Sequence, residues 1–199
     1  MKILITGANG YIGKKITKLL VKKNKIYSIN RTNSEKKYKY LIKNKIKPEI
    51  ILHLAGSGLI NNKKLKKEDY YKKNFLSTLK LINFIHNARL VGSKIIFFSS
   101  QAVYSDKNKK KFSEKDKVNP KSYYGKYKYL SEKKLLKIKK NQLLILRIFS
   151  VYGIGLKKQL IWDACKKFNN NNPIFFGDGN QIRDFLNITD LLILIKKII

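Results

Sequence analysis

Short, continuous apolar runs alternate along the chain with longer segments whose apolar residues recur every three or four positions. Lys2-Ile3-Leu4-Ile5-Thr6 is the first run, and a glycine turn follows it. Ile12, Ile16, Leu19 and Leu20 then mark one face of a helix. Ile26-Tyr27-Ser28-Ile29 predicts a second strand. Lys36 to Lys47 predicts a helix that stops before Pro48, because the residue preceding a proline is pushed out of the helical region. Ile50-Ile51-Leu52-His53-Leu54 predicts a third strand, ending at Ala55-Gly56. Tyr70 to Ala88 reads as a helix with Phe75, Leu79, Leu81, Ile82 and Ile85 on one side. Lys94 to Ser99, Tyr124 to Lys140 and Leu143 to Phe149 read as strand, helix and strand, and Asn169–Asn172 as a low-complexity turn before Pro173. Strands that are apolar on both faces and alternate with helices belong to a parallel sheet covered on both sides.

Composition bounds the picture without redirecting it. The 199 residues, 43% hydrophobic, suffice for one α/β domain with a substantial core, or for one domain and the start of a second. Cys165 is the single cysteine, which excludes an internal disulfide and fits a reducing compartment. Met1–Thr6 is too short an apolar run for a signal peptide, and no stretch reaches bilayer length. A cytoplasmic location with no membrane partner is expected. Lysine and arginine total 45 against 12 acidic residues, a formal charge of +33. Such an excess ordinarily points to nucleic acid or an anionic membrane. Here the arginines are only Arg31, Arg89, Arg147 and Arg183, and lysine, asparagine and isoleucine together resemble the output of an AT-rich coding sequence. The lysines are spread over many segments, with local clusters at Lys109-Lys110-Lys111 and Lys139-Lys140. Solvated faces account for them, and no nucleic-acid partner is expected. The contrary reading rests on charge, with Tyr38-Lys39-Tyr40 and Tyr127-Lys128-Tyr129 as stacking aromatics.

Thr6-Gly7-Ala8-Asn9-Gly10-Tyr11-Ile12-Gly13 lies between the first strand and the first helix. That context gives a glycine motif its weight. Gly7 allows the sharp turn out of the strand. Gly10 lets the backbone approach a pyrophosphate, and Gly13 lets the helix pack on the sheet. The amides at the helix start, Tyr11 and Ile12 among them, then face the phosphates. The next strand ends at Asn30-Arg31, where an acidic residue would grip the ribose 2′-hydroxyl of NAD. Asparagine can still bond a hydroxyl, and Arg31 suits a 2′-phosphate, which tips the cofactor slightly toward NADP over NAD. Arg31 as an ordinary surface residue is nearly as good a reading.

Tyr124-Gly125-Lys126-Tyr127-Lys128 sets a tyrosine and a lysine four residues apart, on one helix face. A positive charge beside the phenol lowers its pKa and makes it a usable proton donor or acceptor. The same lysine can hold a ribose hydroxyl. The preceding strand ends in Ser99-Ser100, at the sheet edge where parallel sheets bind ligands. Ser100 is read either as a hydroxyl beside the tyrosine or as a plain strand-terminal cap.

With these residues in hand, the chain resembles the extended short-chain dehydrogenase/reductases, the NAD-dependent epimerase/dehydratase family of nucleotide-sugar enzymes. The likeness runs from Met1 to about Ile195. Its marks are Thr6–Gly13, His53-Leu54-Ala55-Gly56, Asn74, Ser99–Tyr104, Pro120–Lys128 with Glu132, Leu146–Gly153 and Gly177–Phe185. The resemblance implies that Ser100, Tyr124 and Lys128 are catalytic, and that Leu54, Ala55 and Asn74 line the cofactor. It also implies that Arg183 meets the substrate diphosphate, an ion pair with Asp184 being the bland alternative. The fold implied is α/β, a Rossmann-like doubly wound parallel sheet with an incomplete C-terminal substrate lobe. Residues 1–153 form the dinucleotide-binding domain. Residues 154–199 form a partial substrate-binding lobe and the last sheet-associated segments. The partners implied are a nucleotide-sugar substrate and, as in many family members, a second copy in a homodimer; no metal is expected.

Departures from the family pattern shape the functional expectation. Gln101-Ala102 stand where the dehydratases carry an Asp-Glu pair, which argues against elimination of water. Ser150 replaces an asparagine that contacts nucleotide, and the segment between Arg31 and Ile50 is short. The leading expectation is an NAD(P)-dependent epimerase or reductase acting on a nucleotide-activated sugar. The alternative is a non-catalytic dinucleotide-binding protein or a truncated remnant of such an enzyme, since family members continue well beyond Asp190.

Overall fold

The computed structural model describes residues 1–199 except 61–62, 105–110, 139–140, 176 and 181, and the side chains of residues 59, 60, 63 and 64. Lys109, Lys110, Lys139 and Lys140 of the basic clusters, and Gln181 of the last motif, lie outside the described residues.

In chain order the elements begin with β1 (Lys2–Thr6), α1 (Tyr11–Leu20), β2 (Lys25–Ile29), α2 (Ser34–Lys43) and β3 (Ile50–His53). A two-residue pair, β4 (Leu59–Ile60) and β5 (Lys63–Lys64), precedes α3 (Lys67–Tyr70), a π-helical turn (Tyr71–Leu76) and α4 (Ser77–Asn87). Then come β6 (Lys94–Ser100), a 3₁₀ turn (Gln101–Val103), α5 (Tyr123–Leu135), β7 (Gln142–Ile148), β8 (Ser150–Tyr152), α6 (Gln159–Asn169), β9 (Phe185–Asn187) and α7 (Ile188–Ile198).

Five strands form one parallel sheet in the order β2-β1-β3-β6-β7. Ile3 is the pivot of the register, opposite Ile26 on one side and Ile50 on the other. The chain leaves β1 in both directions, so a switch point lies between β1 and β3, where such sheets open a crevice at their C-terminal edge. Successive strand residues face opposite layers. Ile3, Ile5, Leu52, Ile96 and Phe98 join Ile16 and Leu20 of α1 and Leu191 and Ile195 of α7. Leu4, Ile51 and Ile95 join Leu41 of α2 and Leu81, Phe84 and Ile85 of α4 on the other face.

The expected helices form, with shifted ends. Pro48 does not stop α2. Ile46 N donates to Leu41 O at 2.9 Å and Lys45 N to Ile42 O at 3.0 Å, with Lys45 at φ 50°. This is a Schellman cap with lysine where glycine is usual. Arg89 and Asn171 close α4 and α6 in the same way.

The expected helix from Tyr70 to Ala88 is interrupted by the π-turn. Tyr70, Asn74, Thr78, Leu81, Phe84 and Ile85 are its buried residues, whereas Phe75, Leu79 and Ile82 are only half-buried. A widened turn shifts the register of the face that follows it. The Asn74 carbonyl is taken up by the hydroxyls of Ser77 (3.0 Å), Thr78 (3.1 Å) and Ser131 (3.4 Å).

Candidate active site

A cavity of about 1490 Å³ opens at the C-terminal edge of the sheet, above the switch point. Its floor begins with the glycine turn. Gly7 has φ +74°, and a Cβ there would stand 2.8 Å from Ala55 N. A Cβ on Gly13 would stand 2.3 Å from Gly7 O, so only glycine lets α1 start this close to the turn. Gly10 caps α1 without a side-chain bond. Gly10, Tyr11, Ile12 and Gly13 all line the cavity, and the first amides of a helix have no partner inside it. The cradle fits a pyrophosphate: the Cβ atoms that would fill it are absent, and the helix N-terminus supplies donors. Tyr11 Oη donates to Ile154 O at 3.1 Å and so ties the turn to the loop after β8.

Asn30 and Arg31 line the far end of the cavity. Asn30 Oδ1 accepts from Asn33 N (3.0 Å), Thr32 N (3.1 Å) and Thr32 Oγ1 (2.8 Å), shaping the loop that leads into α2. Its acceptor is therefore spent on the protein. Arg31 is exposed at the rim.

Ser100, Tyr124 and Lys128 meet at the other end. A Cβ on Gly125 would lie 2.0 Å from Ala102 O, so α5 docks its first turn directly on the 3₁₀ turn after β6. Ser122 caps that helix, accepting from Gly125 N at 3.0 Å. This docking brings Tyr124 to Ser100. Burial raises the Tyr124 phenol above its usual range, and a hydrogen bond from Ser100 pulls it partly back. Ser100 Oγ also accepts from Ala102 N at 3.2 Å, so it is a cap and a cavity-facing hydroxyl at once.

Lys128 is 3% exposed. Its Nζ donates to Phe98 O at 2.7 Å and sits 4.9 Å from the centre of the Phe97 ring. Burial pushes this ammonium from 10.5 to about 8, with Glu132 opposing the shift. The expectation that Lys128 leaves the phenol with a lowered pKa does not hold in this state. Burial raises the phenol, and the ammonium is directed at a backbone carbonyl.

The sequence pattern of the NAD dependent epimerase/dehydratase family matches residues 3–199. The chain belongs to this family. A provisionally named UDP-glucose 4-epimerase of Methanocaldococcus jannaschii is 29% identical, over 95% of this chain and 70% of its own. GDP-6-deoxy-D-talose 4-dehydrogenase of Aggregatibacter actinomycetemcomitans is 26% identical over 100% of this chain and 70% of its own. A UDP-glucuronic acid 4-epimerase variant of Bacillus cereus was solved with UDP-4-deoxy-4-fluoro-glucuronic acid and NAD. It matches at a TM-score of 0.79 and 26% identity, over 96% of this chain and 71% of that one. The Rossmann-like parallel sheet is thus the family's fold, and the glycine turn stands in an NAD-dependent enzyme family.

Leu54 and Ala55 line the cavity, whereas Asn74 does not. Asn74 is buried behind the loop after β3. Its Oδ1 accepts from Ser57 N, and its Nδ2 donates to Ser57 O, both at 3.1 Å. It holds the loop that lines the cavity. Arg183 is exposed and outside the cavity lining. Gln101 and Ala102 line the cavity. Among the described residues no cluster of His, Cys, Asp and Glu is placed to hold a metal ion, and no helix is long and apolar enough to cross a membrane.

Two buried clamps on α5 escaped the sequence reading. Arg147 of β7 grips Glu132 through Nη2–Oε2 (2.8 Å) and Nε–Oε1 (3.2 Å), and Ser99 Oγ donates to the same carboxylate. Glu132 holds the Arg147 guanidinium charged well above its usual range. On the next position, Ser131 joins Thr78 and His53. The usable signal was spacing: Ser131 and Glu132 follow Lys128 by three and four residues, polar positions on the buried helix face.

Proposed function

We propose that the chain holds a nicotinamide dinucleotide over Gly7–Gly13 and performs oxidoreductase-type chemistry on a nucleotide-activated sugar. The reaction is epimerisation through a transient ketone, or reduction of a keto-sugar. The observation that carries this reading is the convergence of Ser100, Tyr124 and Lys128 on one end of the cavity that the glycine turn floors at the other. A bound dinucleotide would supply hydride chemistry: its oxidised form for the epimerisation, its reduced form for reduction of a keto-sugar. Tyr124, kept protonated by burial, gives its proton to a ketone oxygen, and takes a hydroxyl proton in the reverse direction. Ser100 directs its hydrogen bond at the reacting oxygen. Lys128 holds a ribose hydroxyl. Leu54 and Ala55 flank the cofactor, and residues 154–187 serve the sugar nucleotide as a partial substrate lobe. Gln101-Ala102 provide no acid or base, which disfavours a dehydratase. The test is interconversion of UDP-glucose and UDP-galactose by the purified chain with NAD. Tyr124→Phe should lower turnover by roughly 10²–10⁴-fold; unchanged turnover would sink the assignment.

Cofactor choice in this reading leans to NADP. Asn30 has spent its acceptor, the position after β2 holds this asparagine in place of a carboxylate, and Arg31 lies at the rim. Titration calorimetry should show NADP held more tightly than NAD, and Arg31→Ala should cost NADP alone about tenfold. Equal affinities that Arg31→Ala leaves unchanged would remove Arg31 from the site.

A further inference from the structure

We propose that His53, which touches neither cavity nor solvent, is a positioning residue that holds Lys128 in place through the ring of Phe97 and locks that setting to the glycine turn. His53 is fully buried at the end of β3. Its ring stacks on Phe97 with centroids 5.4 Å apart and planes 25° from parallel. Lys128 Nζ lies 4.9 Å from the centre of that Phe97 ring. Phe97 is thus shared between the imidazole and an ammonium, and an ammonium over an aromatic ring is held by the ring's quadrupole.

Hydrogen bonds fix the imidazole from both sides. Nδ1 is 2.5 Å from Thr6 Oγ1, and Nε2 is 2.9 Å from Thr78 Oγ1. Thr78 donates to Asn74 O or to Ser131 Oγ, so its oxygen accepts from Nε2–H. Nδ1 is then the acceptor for Thr6, whose oxygen accepts from Ala55 N at 3.3 Å. Burial and the charge of Lys128 both press the imidazole to stay neutral, with its pKa lowered to about 3. The tautomer is therefore locked, and the ring cannot turn without breaking a bond at each end. Thr6 immediately precedes Gly7, and Ser131 follows Lys128 by three residues on the buried face of α5. One side chain thereby links the turn, the ring under Lys128 and the helix that carries Lys128.

The inference rests on the reading that Lys128 serves a bound dinucleotide, but its test does not need one. Lys128 is titrated in the free protein by pH-dependent acylation with acetic anhydride, read by peptide mass spectrometry. Besides His53, the ionisable group acting on it is Glu132, which Arg147 of β7 pairs; Tyr124, one turn back on the same helix, faces Tyr70 of α3. His53→Leu removes the ring and both hydrogen bonds. His53→Asn keeps an acceptor for Thr6 and serves where the first variant does not fold. Leu41→Ala, buried under α2, disturbs stability alone. The expected result is a Lys128 midpoint displaced by at least about half a pH unit in the His53 variant, upward as water reaches a loosened helix, and unmoved in Leu41→Ala. A midpoint that stays within that margin, falls instead, or shifts as much in Leu41→Ala overturns the inference. Binding of NADH to the unaltered chain, followed by fluorescence, reports separately on the dinucleotide reading.

Discussion

Replacing Arg147 by methionine would strand a carboxylate in the core. Glu132 is 1% exposed and the Arg147 side chain 20%. Three donors reach Glu132: two from the guanidinium and one from Ser99. Arg147→Met removes the countercharge and two of the three, while the methionine keeps most of the aliphatic volume over Tyr104. Breaking a buried pair from one side costs about 3–5 kcal/mol. The partial exposure of Arg147 places this case near about 3 kcal/mol. For a chain of this size that is a fall of roughly 6–12 °C in Tm. The decisive measurement is a double-mutant cycle by urea denaturation with Glu132→Gln, Arg147→Met and the double variant. If the cost is the unpaired charge, the double variant loses less than the sum by about 1–3 kcal/mol. Additivity within about 0.5 kcal/mol would refute the reasoning and reduce Arg147 to a packing residue.

Two further outcomes follow from the same helix. Lys128 keeps its proton up to 10.5 when unfolded and releases it near about 8 when folded, so burial of the charged form costs stability below pH 8. That cost, roughly 3 kcal/mol, is relieved as pH rises from about 8 to 10.5. Wild type should therefore gain stability relative to Lys128→Met across that window, while its affinity for NADH falls; parallel denaturation and fluorescence titrations check both trends. Gly125→Ala drives a methyl against Ala102 O, which should cost about 1–3 kcal/mol and lower turnover by parting Tyr124 from Ser100, measured by calorimetry and the UDP-glucose assay.

The sheet was legible because strands buried on both faces must be apolar throughout, and Ile50-Ile51-Leu52 or Ile95-Ile96-Phe97-Phe98 admit no other placement. Helix ends were not. Lys45 and Arg89 adopt left-handed conformations that no composition signal marks, and Lys45 closes α2 before the limit that Pro48 suggested. The π-turn at 71–76 is set by contacts of Asn74 with a loop seventeen residues away in sequence. Ser100, Tyr124 and Lys128 could be read because one strand end and one helix turn carry them. The pairings of His53, Thr78, Ser131 and Glu132 could not, because each partner lies on an element that only the fold brings near.

The two halves of the proposed reaction rest on unequal foundations. The dinucleotide half is built from strands with no exposed residue at β3 or β6, and its helix α5 is clamped at consecutive positions by Ser131 and Glu132. α7 adds Leu191 and Ile195 to the same core, although it comes last in the chain. Residues 154–187 differ in kind. α6 is amphipathic, yet none of its residues is buried, and it exposes Leu160, Ile161, Trp162 and Phe168. A helix of that length draws its stability from packing an apolar face, and here no residue of that face is fully buried. NADH binding and sugar turnover therefore depend on separately supported surfaces. Damage confined to α6 would leave the glycine turn and the Lys128 clamp intact, so cofactor binding can persist where turnover fails. The relation does not run the other way: no turnover can survive loss of the turn, because Thr6, His53 and Ser131 tie it to the helix that carries Tyr124 and Lys128.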